Sequence, residues 1–227
     1  MTNPSSIPAP EGARSLEQLV RRRRATPRFA PDPVPEAVIE TALRVAAEAP
    51  SGYNLQPWRF ILVQDAAHRA RLREAAFDQP KVSEAPLVVV ACAERDGWQD
   101  HLEEIFATRA QRTGSKGSLE AAKKGALDFV NTMPREVWLN RHVMIGFTYL
   151  MLAFESLGYD TAPMEGFSAP AVRAVVGLPD DAVVVALLAV GRGTGPEPIH
   201  PGRLAVSVIA ASEQFGQPYE PSALATP

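Results

Sequence analysis

The sequence predicts an α+β protein with a three-layer α/β/α arrangement, in which helices pack around a small sheet. Strand-like apolar runs alternate with helical patterns, and the helical patterns are the longer and more numerous of the two. The longest helical pattern, residues 136–157, is apolar on nearly every side from Val143 to Phe154, so it belongs in a core or a subunit interface. No repeat or linker divides the 227 residues, and one main domain over 15–211 is expected.

The first half of the chain begins with a tail over 1–14 that is expected to be disordered. Ser15 and Gln18 form a capping box, which predicts a helix that continues into Arg21 to Arg24 and stops near Pro27. The next predicted elements are a helix between Pro35 and Pro50, a strand over Phe60 to Val63, a charged helix over Ala66 to Phe77 and a fully buried strand over Leu87 to Ala93.

In the second half, residues from about 98 to 133 are charged and are interpreted as helical patches broken by TGSKGS, forming a lid on the domain. After the long helix, the predicted elements are a loop over TAPMEGF, a short helix near Ala169 to Val176 and a strand over Ala182 to Val190. Residues 212–227 place Phe215 and Tyr219 among prolines, and are expected to form an arm that packs on a partner subunit.

Composition excludes several classes of protein. Hydrophobic residues make up 46% and charged residues 22%, and the net charge of −3 gives no bias toward nucleic acid or anionic membranes. The apolar run from Val143 to Phe154 is shorter than the ~20 residues that span a bilayer, and the N-terminus does not resemble a signal peptide. The single cysteine, Cys92, lies inside PLVVVACA and is expected to be buried, so a cytoplasmic location is the default.

The four arginines have three interpretations: a solvated face that complements the helix dipole, a phosphate site, or a nucleic-acid contact. GRGTG over Gly191 to Gly195 lacks dinucleotide spacing, and the prolines after it prevent a helix from starting there, so it is expected to be a loop. The four histidines show no ligand spacing, and no metal site is expected.

Three separated features remain: the arginines before ATPRF, the loop APSGYNLQPWRF, and PMEGF after the long helix. None supplies an evident catalytic group of its own. Together they offer phosphate contacts, polar contacts to the edge of a flat ligand, and close backbone approach at a glycine. This combination is typical of a site for a flavin nucleotide, where the cofactor carries the chemistry.

Five segments in order resemble the nitroreductase family of FMN-dependent enzymes, and the resemblance runs from about Leu16 to Val206. They are RRRATPRF, PVPEAVIETALRVAAEAPSGYNLQPWRFILV, QPKVSEAPLVVV, LGYDTAPMEGF and GRL. The resemblance implies a nitroreductase-like fold with a small, mostly antiparallel central sheet, and a homodimer with the long helix at the interface and two shared FMN sites.

The same resemblance implies roles for particular residues. Arg23, Arg24 and Arg203 match phosphate-binding arginines, with Ala25 beside them. Lys81 would offset negative charge near N1 and O2 of the flavin, and the backbone of Glu165 and Gly166 would face N5. The full set of implied cofactor contacts is Arg23, Arg24, Ala25, Pro50, Ser51, Gly52, Asn54, Gln79, Lys81, Pro163, Met164, Glu165, Gly166 and Arg203. Pro50 to Asn54 would come from the partner subunit, while Gln56 and Trp58 would brace their loop.

The chain departs from the family pattern near the phosphate. Ala25 and Pro27 stand where many members have a serine and a second basic residue, and Arg28 is the candidate replacement. Pro201 stands where another basic residue often precedes the last arginine. Phosphate binding on fewer contacts is therefore expected.

The implied activity is transfer of hydride from NADH or NADPH to FMN, followed by reduction of a nitroaromatic, quinone or similar small-molecule acceptor in a ping-pong mechanism. Two alternatives stay open. One is an enzyme of the same fold that dehalogenates its substrate or degrades flavin. The other is a binding module without redox activity that uses the basic end of the first helix. Neither the acceptor nor the preferred nicotinamide follows from the sequence.

Overall fold

The computed structural model describes residues 15–114 and 118–220. The predicted tail over 1–14 lies outside the described residues, as do the last residues of the predicted arm. The chain forms two compact units, Met1–Pro196 and Glu197–Pro227. The first unit carries the sheet and nearly all of the helices.

The sheet has four strands: β1 (Arg59–Val63), β2 (Leu87–Ala93), β3 (Asp160–Met164) and β4 (Val183–Gly191). Their order is β1-β2-β4-β3, and every neighbouring pair is antiparallel. All seven residues of β2 are buried, as its unbroken apolar sequence predicts.

The helices are α1 (Leu16–Arg22), α2 (Glu36–Ala47), α3 (Ala66–Ala75), α4 (Pro80–Glu84), α5 (Leu102–Thr113), α6 (Leu119–Asn131), α7 (Arg135–Ser156), α8 (Ala169–Val176) and α9 (Val206–Ile209). Short 3-10 turns span Gly52–Asn54 and Gly97–His101. The capping box at Ser15 is present, with the Ser15 hydroxyl accepting from Gln18 N–H and the Gln18 side chain accepting from Ser15 N–H.

Two apolar clusters lie on opposite faces of the sheet. One joins Leu87 and Val89 of β2 to α2 and α7, and the other joins Val88 of β2 to α3, α4 and α8. Because side chains alternate along a strand, one buried strand supplies both clusters. The predicted three-layer α/β/α arrangement is confirmed.

The long helix α7 is covered mainly by its own chain. Leu139, Val143, Leu150 and Phe154 are fully buried, with α2 and the sheet packed against them. Its apolar side chains therefore do not all need a partner subunit, although Tyr149 remains 38% exposed.

Several elements differ from the prediction, three of them near the candidate site. TAPMEGF is not wholly a loop, because Asp160–Met164 forms β3 at the edge of the sheet, where proline is tolerated. The lid is more regular than predicted, since α5 and α6 flank residues 115–117. The short helix α4, which starts with Pro80, was not predicted at all. Among the described residues, no helix has the length and apolarity to cross a membrane.

Candidate active site

The segment after α1 runs along β3. Ala25 forms a parallel bridge with Thr161, and Thr26 N–H donates to the Thr161 carbonyl at 3.0 Å. This pairing places Arg23, Arg24 and Ala25 beside the strand that leads into Glu165 and Gly166.

The two arginines predicted to hold a phosphate differ in their contacts. Arg24 Nη1 donates to the carbonyls of Arg21 at 2.6 Å and Arg23 at 2.7 Å, and so satisfies backbone groups at the end of α1. Arg23 Nη1 is buried and makes no hydrogen bond to any described residue. A buried donor without a partner is costly, and it suits an anionic oxygen of a ligand.

Glu155, at the end of α7, lies close enough to Arg23 for their charges to interact. Burial raises the pKa of Glu155, while the hydrogen bond from the Thr161 hydroxyl, at 2.6 Å, and the charge of Arg23 oppose that rise. Arg23 therefore sits at the junction of α1, β3 and the C-terminal end of α7.

Gln79 and Lys81 flank the start of α4, where Pro80 occupies the first turn. Gln79 Nε2 donates to the carbonyls of Ala76 at 3.0 Å and Gly166 at 2.8 Å, so it ties α4 to the end of β3. Lys81 is half-buried and makes no hydrogen bond or ion pair within the described chain. Burial lowers the pKa of Lys81, because the charged ammonium loses water.

Arg28 pairs with Glu84 at the end of α4. This ion pair engages the residue considered as a replacement for the missing basic residue at Pro27. It also joins the arginine segment to α4. The segments 23–28, 79–84 and 161–166 are therefore linked pairwise, and together they form what we term the sheet-edge cradle.

The remaining cradle residues lie at the C-terminal end of β3 and just beyond it. Met164 is buried and Pro163 is half-buried in β3, whereas Glu165 and Gly166 are exposed just beyond it. Since the Gly166 carbonyl is held by Gln79, the backbone turn after β3 is fixed in place.

Hydrogen bonds between residues of the loop Pro50 to Trp58 fix its conformation. Ser51 Oγ accepts from Gln56 N–H at 3.0 Å, and Gln56 Nε2 donates to the Asn54 carbonyl at 3.0 Å. Tyr53, Asn54 and Gln56 have φ values of 55°, 61° and 45°. Left-handed conformations cost energy for residues other than glycine, and such strain concentrates at functional sites. Pro50 and Asn54 are exposed at the tip.

His142 on α7 holds this loop, and sequence reasoning missed it. Its Nε2 accepts from Gly52 N–H at 3.0 Å, while Nδ1 lies 2.8 Å from the Trp138 carbonyl. Acceptance at Nε2 fixes the tautomer with the proton on Nδ1, which donates to Trp138. No local signal marks His142, because the contact joins residues 90 positions apart.

Trp58 braces the loop by packing on α7, as expected. Its ring is buried against Gly146, where an added Cβ would lie 3.0 Å from Trp58 Cδ2 and 3.2 Å from Cγ. The glycine in the apolar helix therefore forms a notch for the indole.

The cradle and the loop contact different parts of α7. Gly52 is bonded to His142, whereas Arg23 lies by Glu155, thirteen residues further along the helix. At 1.5 Å per residue these points are about 20 Å apart. Arg203 belongs to the second unit, where its Nη1 donates to the Gly202 carbonyl at 2.6 Å and its side chain is exposed. Within the described residues, no group of three or more potential ligands could hold a metal ion.

Comparison with known proteins shows where this arrangement belongs. The chain is 38% identical over 170 residues to an NADH dehydrogenase of Thermus thermophilus, and the matched region covers 75% of this chain and 82% of that protein. It is also 28% identical over 186 residues to an iodotyrosine deiodinase of Thermotoga neapolitana, covering 82% and 92% of the two chains.

The fold matches that of a protein from Exiguobacterium sibiricum, solved as a nitroreductase in complex with FMN. The TM-score is 0.79 at 23% identity, with 88% of this chain and 98% of that chain covered. The model of the nitroreductase family matches residues 20–192, which include the cradle, the loop, the lid and the whole sheet. The chain therefore belongs to the nitroreductase family.

Proposed function

We propose that the protein is a homodimeric oxidoreductase that uses FMN and either NADH or NADPH to reduce a nitroaromatic, quinone or similar acceptor in a ping-pong mechanism. The observation that carries this proposal is the sheet-edge cradle, where Arg23 Nη1 and Lys81 lack partners in the described chain. FMN, when bound, carries electrons from the nicotinamide to the acceptor.

The cradle fits this cofactor group by group. The buried N–H of Arg23 supplies a charge-assisted hydrogen bond to a phosphate, and Arg203 is proposed as a second phosphate contact. The half-buried Lys81 supplies positive charge beside the flat ring system, where low solvent exposure strengthens its effect. Gln79 holds the Gly166 carbonyl, which fixes the backbone of Glu165 and Gly166 against the cofactor.

Along α7, Gly52 and Arg23 are separated by about 20 Å. This distance supports a shared site, because the loop lies away from the phosphate site of its own chain and can instead contact the flavin of a partner subunit. We propose that Pro50, Ser51, Gly52 and Asn54 contact the flavin of the partner subunit. Several large apolar side chains of the second unit would be covered in such a dimer; they are Ile199, Leu204, Val208, Ile209 and Phe215, all well exposed.

A flavin spectrum combined with sedimentation tests the proposal. The purified protein should show the visible absorption spectrum of a flavin, and should sediment as a dimer with one FMN for each chain. Parallel lines in double-reciprocal plots of nicotinamide against acceptor would support the ping-pong order. Protein that neither contains nor takes up flavin would disprove the proposal and favour a binding module.

Reductive dehalogenation is the second candidate function. It is favoured by the similarity to the iodotyrosine deiodinase of Thermotoga neapolitana, which extends over 82% of this chain. Release of iodide from iodotyrosine, assayed beside nitroaromatic reduction with the same reductant, distinguishes the two activities.

A further inference from the structure

A large open cleft lies between the loop and the lid. Its volume is about 1090 Å³, and its walls come from residues 52–59 on one side and from α5 with Phe129 of α6 on the other. Tyr53 and Phe129 both border it and pack against each other, with ring centroids 5.5 Å apart and planes tilted by 54°. Aromatic, aliphatic and charged side chains line it together, and its size is close to that of sites for small organic ligands.

One face of α5 lines this cleft. Ile105, Thr108, Arg109 and Arg112 all border it, and their spacing of three and four residues places them on the same side of the helix. The face changes along its length from an apolar side chain to a hydroxyl and then to two guanidinium groups. A ligand that lies along α5 therefore meets Glu104 and the aliphatic side chain of Ile105 toward the start of this face, and positive charge toward its end.

The charge of the lining is positive. Arg59, Arg109 and Arg112 border the cleft, against the single carboxylate of Glu104. Arg59 is engaged, since its Nη1 donates to the Trp58 carbonyl at 2.9 Å and its Nε lies 3.8 Å from Glu94. Arg112 makes no hydrogen bond or ion pair with any residue of 15–114 or 118–220, and is exposed at the rim.

A position near the end of α5 explains a basic residue by itself, because cations complement the helix dipole there. It does not explain why Arg109 and Arg112 border an aromatic cleft whose other wall is the loop proposed to reach the flavin. Positive charge in a cleft with low-dielectric walls raises the local concentration of anionic ligands.

We propose that this cleft selects a flat acceptor that carries an anionic group, such as a carboxylate or sulfonate, and that Arg112, with Arg109, contacts that group. The contacting pair of Tyr53 and Phe129 would offer an aromatic surface to one side of the acceptor's ring. The inference rests on the proposed function, since it names the class of acceptor for that same site. Arg112 and Arg109 are specificity residues here and take no part in electron transfer.

The kinetic test uses two acceptors of nearly equal shape, 4-nitrobenzoate and 4-nitrobenzamide. The ratio of kcat/KM for the anion to that for the amide should fall about fivefold in Arg112→Gln, the upper range for an exposed charge pair. It should fall further in Arg112→Glu, which reverses the charge. Arg71→Gln removes an exposed arginine of α3, outside the cleft, and should leave the ratio unchanged.

A binding test avoids turnover. Calorimetry should show that naphthalene-2-carboxylate binds the wild-type holoenzyme more tightly than naphthalene-2-carboxamide, and that Arg112→Gln removes most of that difference. Raising the salt concentration should weaken the carboxylate alone, since charge attraction is screened.

An anion-to-amide ratio that is the same in wild type, Arg112→Gln and Arg112→Glu overturns the inference. So does a change confined to the relative KM values of NADPH and NADH, because the anion would then belong to the nicotinamide dinucleotide. Protein without flavin, inactive with both acceptors, would instead disprove the proposed function. In that case the naphthalene pair still decides whether the cleft prefers an anion.

Discussion

The sheet-edge cradle and the loop before β1 differ in what holds them and in what they lack. Contacts between secondary-structure elements build the cradle: a bridge to β3, an ion pair between Arg28 and Glu84 of α4, and a hydrogen bond from the Gln79 side chain to the Gly166 carbonyl. Local bonds, left-handed residues and a notch in α7 build the loop. In the cradle, Arg23 Nη1 and the half-buried Lys81 make no hydrogen bond to a described residue, while the loop is braced by its own hydrogen bonds and by α7 but carries an exposed tip. The cradle is therefore suited to hold a ligand, and the loop to complete a site outside its own part of the chain.

The cradle should be the more sensitive of the two to loss of one charge. Arg23→Ala removes the buried, unpaired N–H donor, and should weaken FMN binding by about 1.5–3 kcal/mol, or roughly 10- to 150-fold. Quenching of flavin fluorescence on titration of the apoprotein measures this affinity.

Arg22→Ala is the matched control, since Arg22 is adjacent but exposed. Equal affinity in wild type and Arg23→Ala would remove Arg23 from the phosphate site. Arg203→Ala, measured in parallel, decides whether the second unit supplies a phosphate contact.

The loop should be most sensitive to loss of the notch at Gly146 of α7, which holds the Trp58 ring. Gly146→Val places methyl groups where the Trp58 ring lies, so the free energy of unfolding should fall by about 1–3 kcal/mol, as overpacked cores do. Urea denaturation measures the change, and the fluorescence of the displaced tryptophan should shift.

The same substitution at Gly125 is the control. That glycine lies in α6 with no atom within 4 Å of an added Cβ, and Gly125→Val should change stability by less than about 0.5 kcal/mol. Since valine is a better helix former than glycine, an equal loss of stability in both variants would show that the notch is not its cause.

Lys81 tests the electrostatics of the cradle. Lys81→Met keeps much of the apolar stem but removes a half-buried positive charge, so added negative charge on the flavin loses a stabilising neighbour. The midpoint potential of the bound flavin should fall by about 20–30 mV, equivalent to about 1 kcal/mol for two electrons. Lys124→Met, at an exposed position on α6, is the control and should leave the potential unchanged. A potential in Lys81→Met at or above that of wild type would refute the electrostatic role of Lys81.

The smallest expected effect is the contribution of Glu155 to the pH dependence of stability. Its pKa in the folded protein lies above the ordinary value of 4.5, so between 4.5 and the raised pKa the folded state binds more protons than the unfolded chain. The contribution of Glu155 to stability therefore falls as pH rises through that window. Glu155→Gln removes this titration, and its stability relative to wild type should increase from pH 4.5 toward pH 7.

Urea denaturation at several pH values tests the Glu155 effect, with Glu74→Gln, at an exposed position on α3, as the control. A difference between Glu155→Gln and wild type that stays constant with pH would show that folding does not raise the pKa of Glu155.

Local chemistry made much of the fold predictable. The capping box at Ser15, the apolar run of β2 and the proline before α2 each act within a few residues, and their elements appear where predicted. β3 was missed because its strand character comes from pairing with β4, despite Pro163. The helix α4 was missed because five residues are too few to show a helical period.

The candidate site divides in the same way. Family resemblance predicted Arg23, Gln79 and Lys81 as cofactor contacts, and their roles stay a prediction. It did not show that Arg24 caps its own helix or that Arg28 is paired with Glu84. It also missed His142 and Gly146, whose roles depend on contacts between residues far apart in the chain. Such contacts follow from packing, and no pattern within one segment encodes them.

The position of Cys92 has a consequence for chemical durability. Quinones are electrophiles that alkylate thiolates, so an enzyme that handles them risks damage to its own cysteines. The only thiol of this chain lies in the middle of β2, fully buried, and burial raises its pKa to about 12. At neutral pH almost none of it is thiolate, and no reagent reaches it without opening the sheet. We therefore expect Cys92 to stay unmodified through long exposure to reactive quinones, which alkylate accessible cysteines.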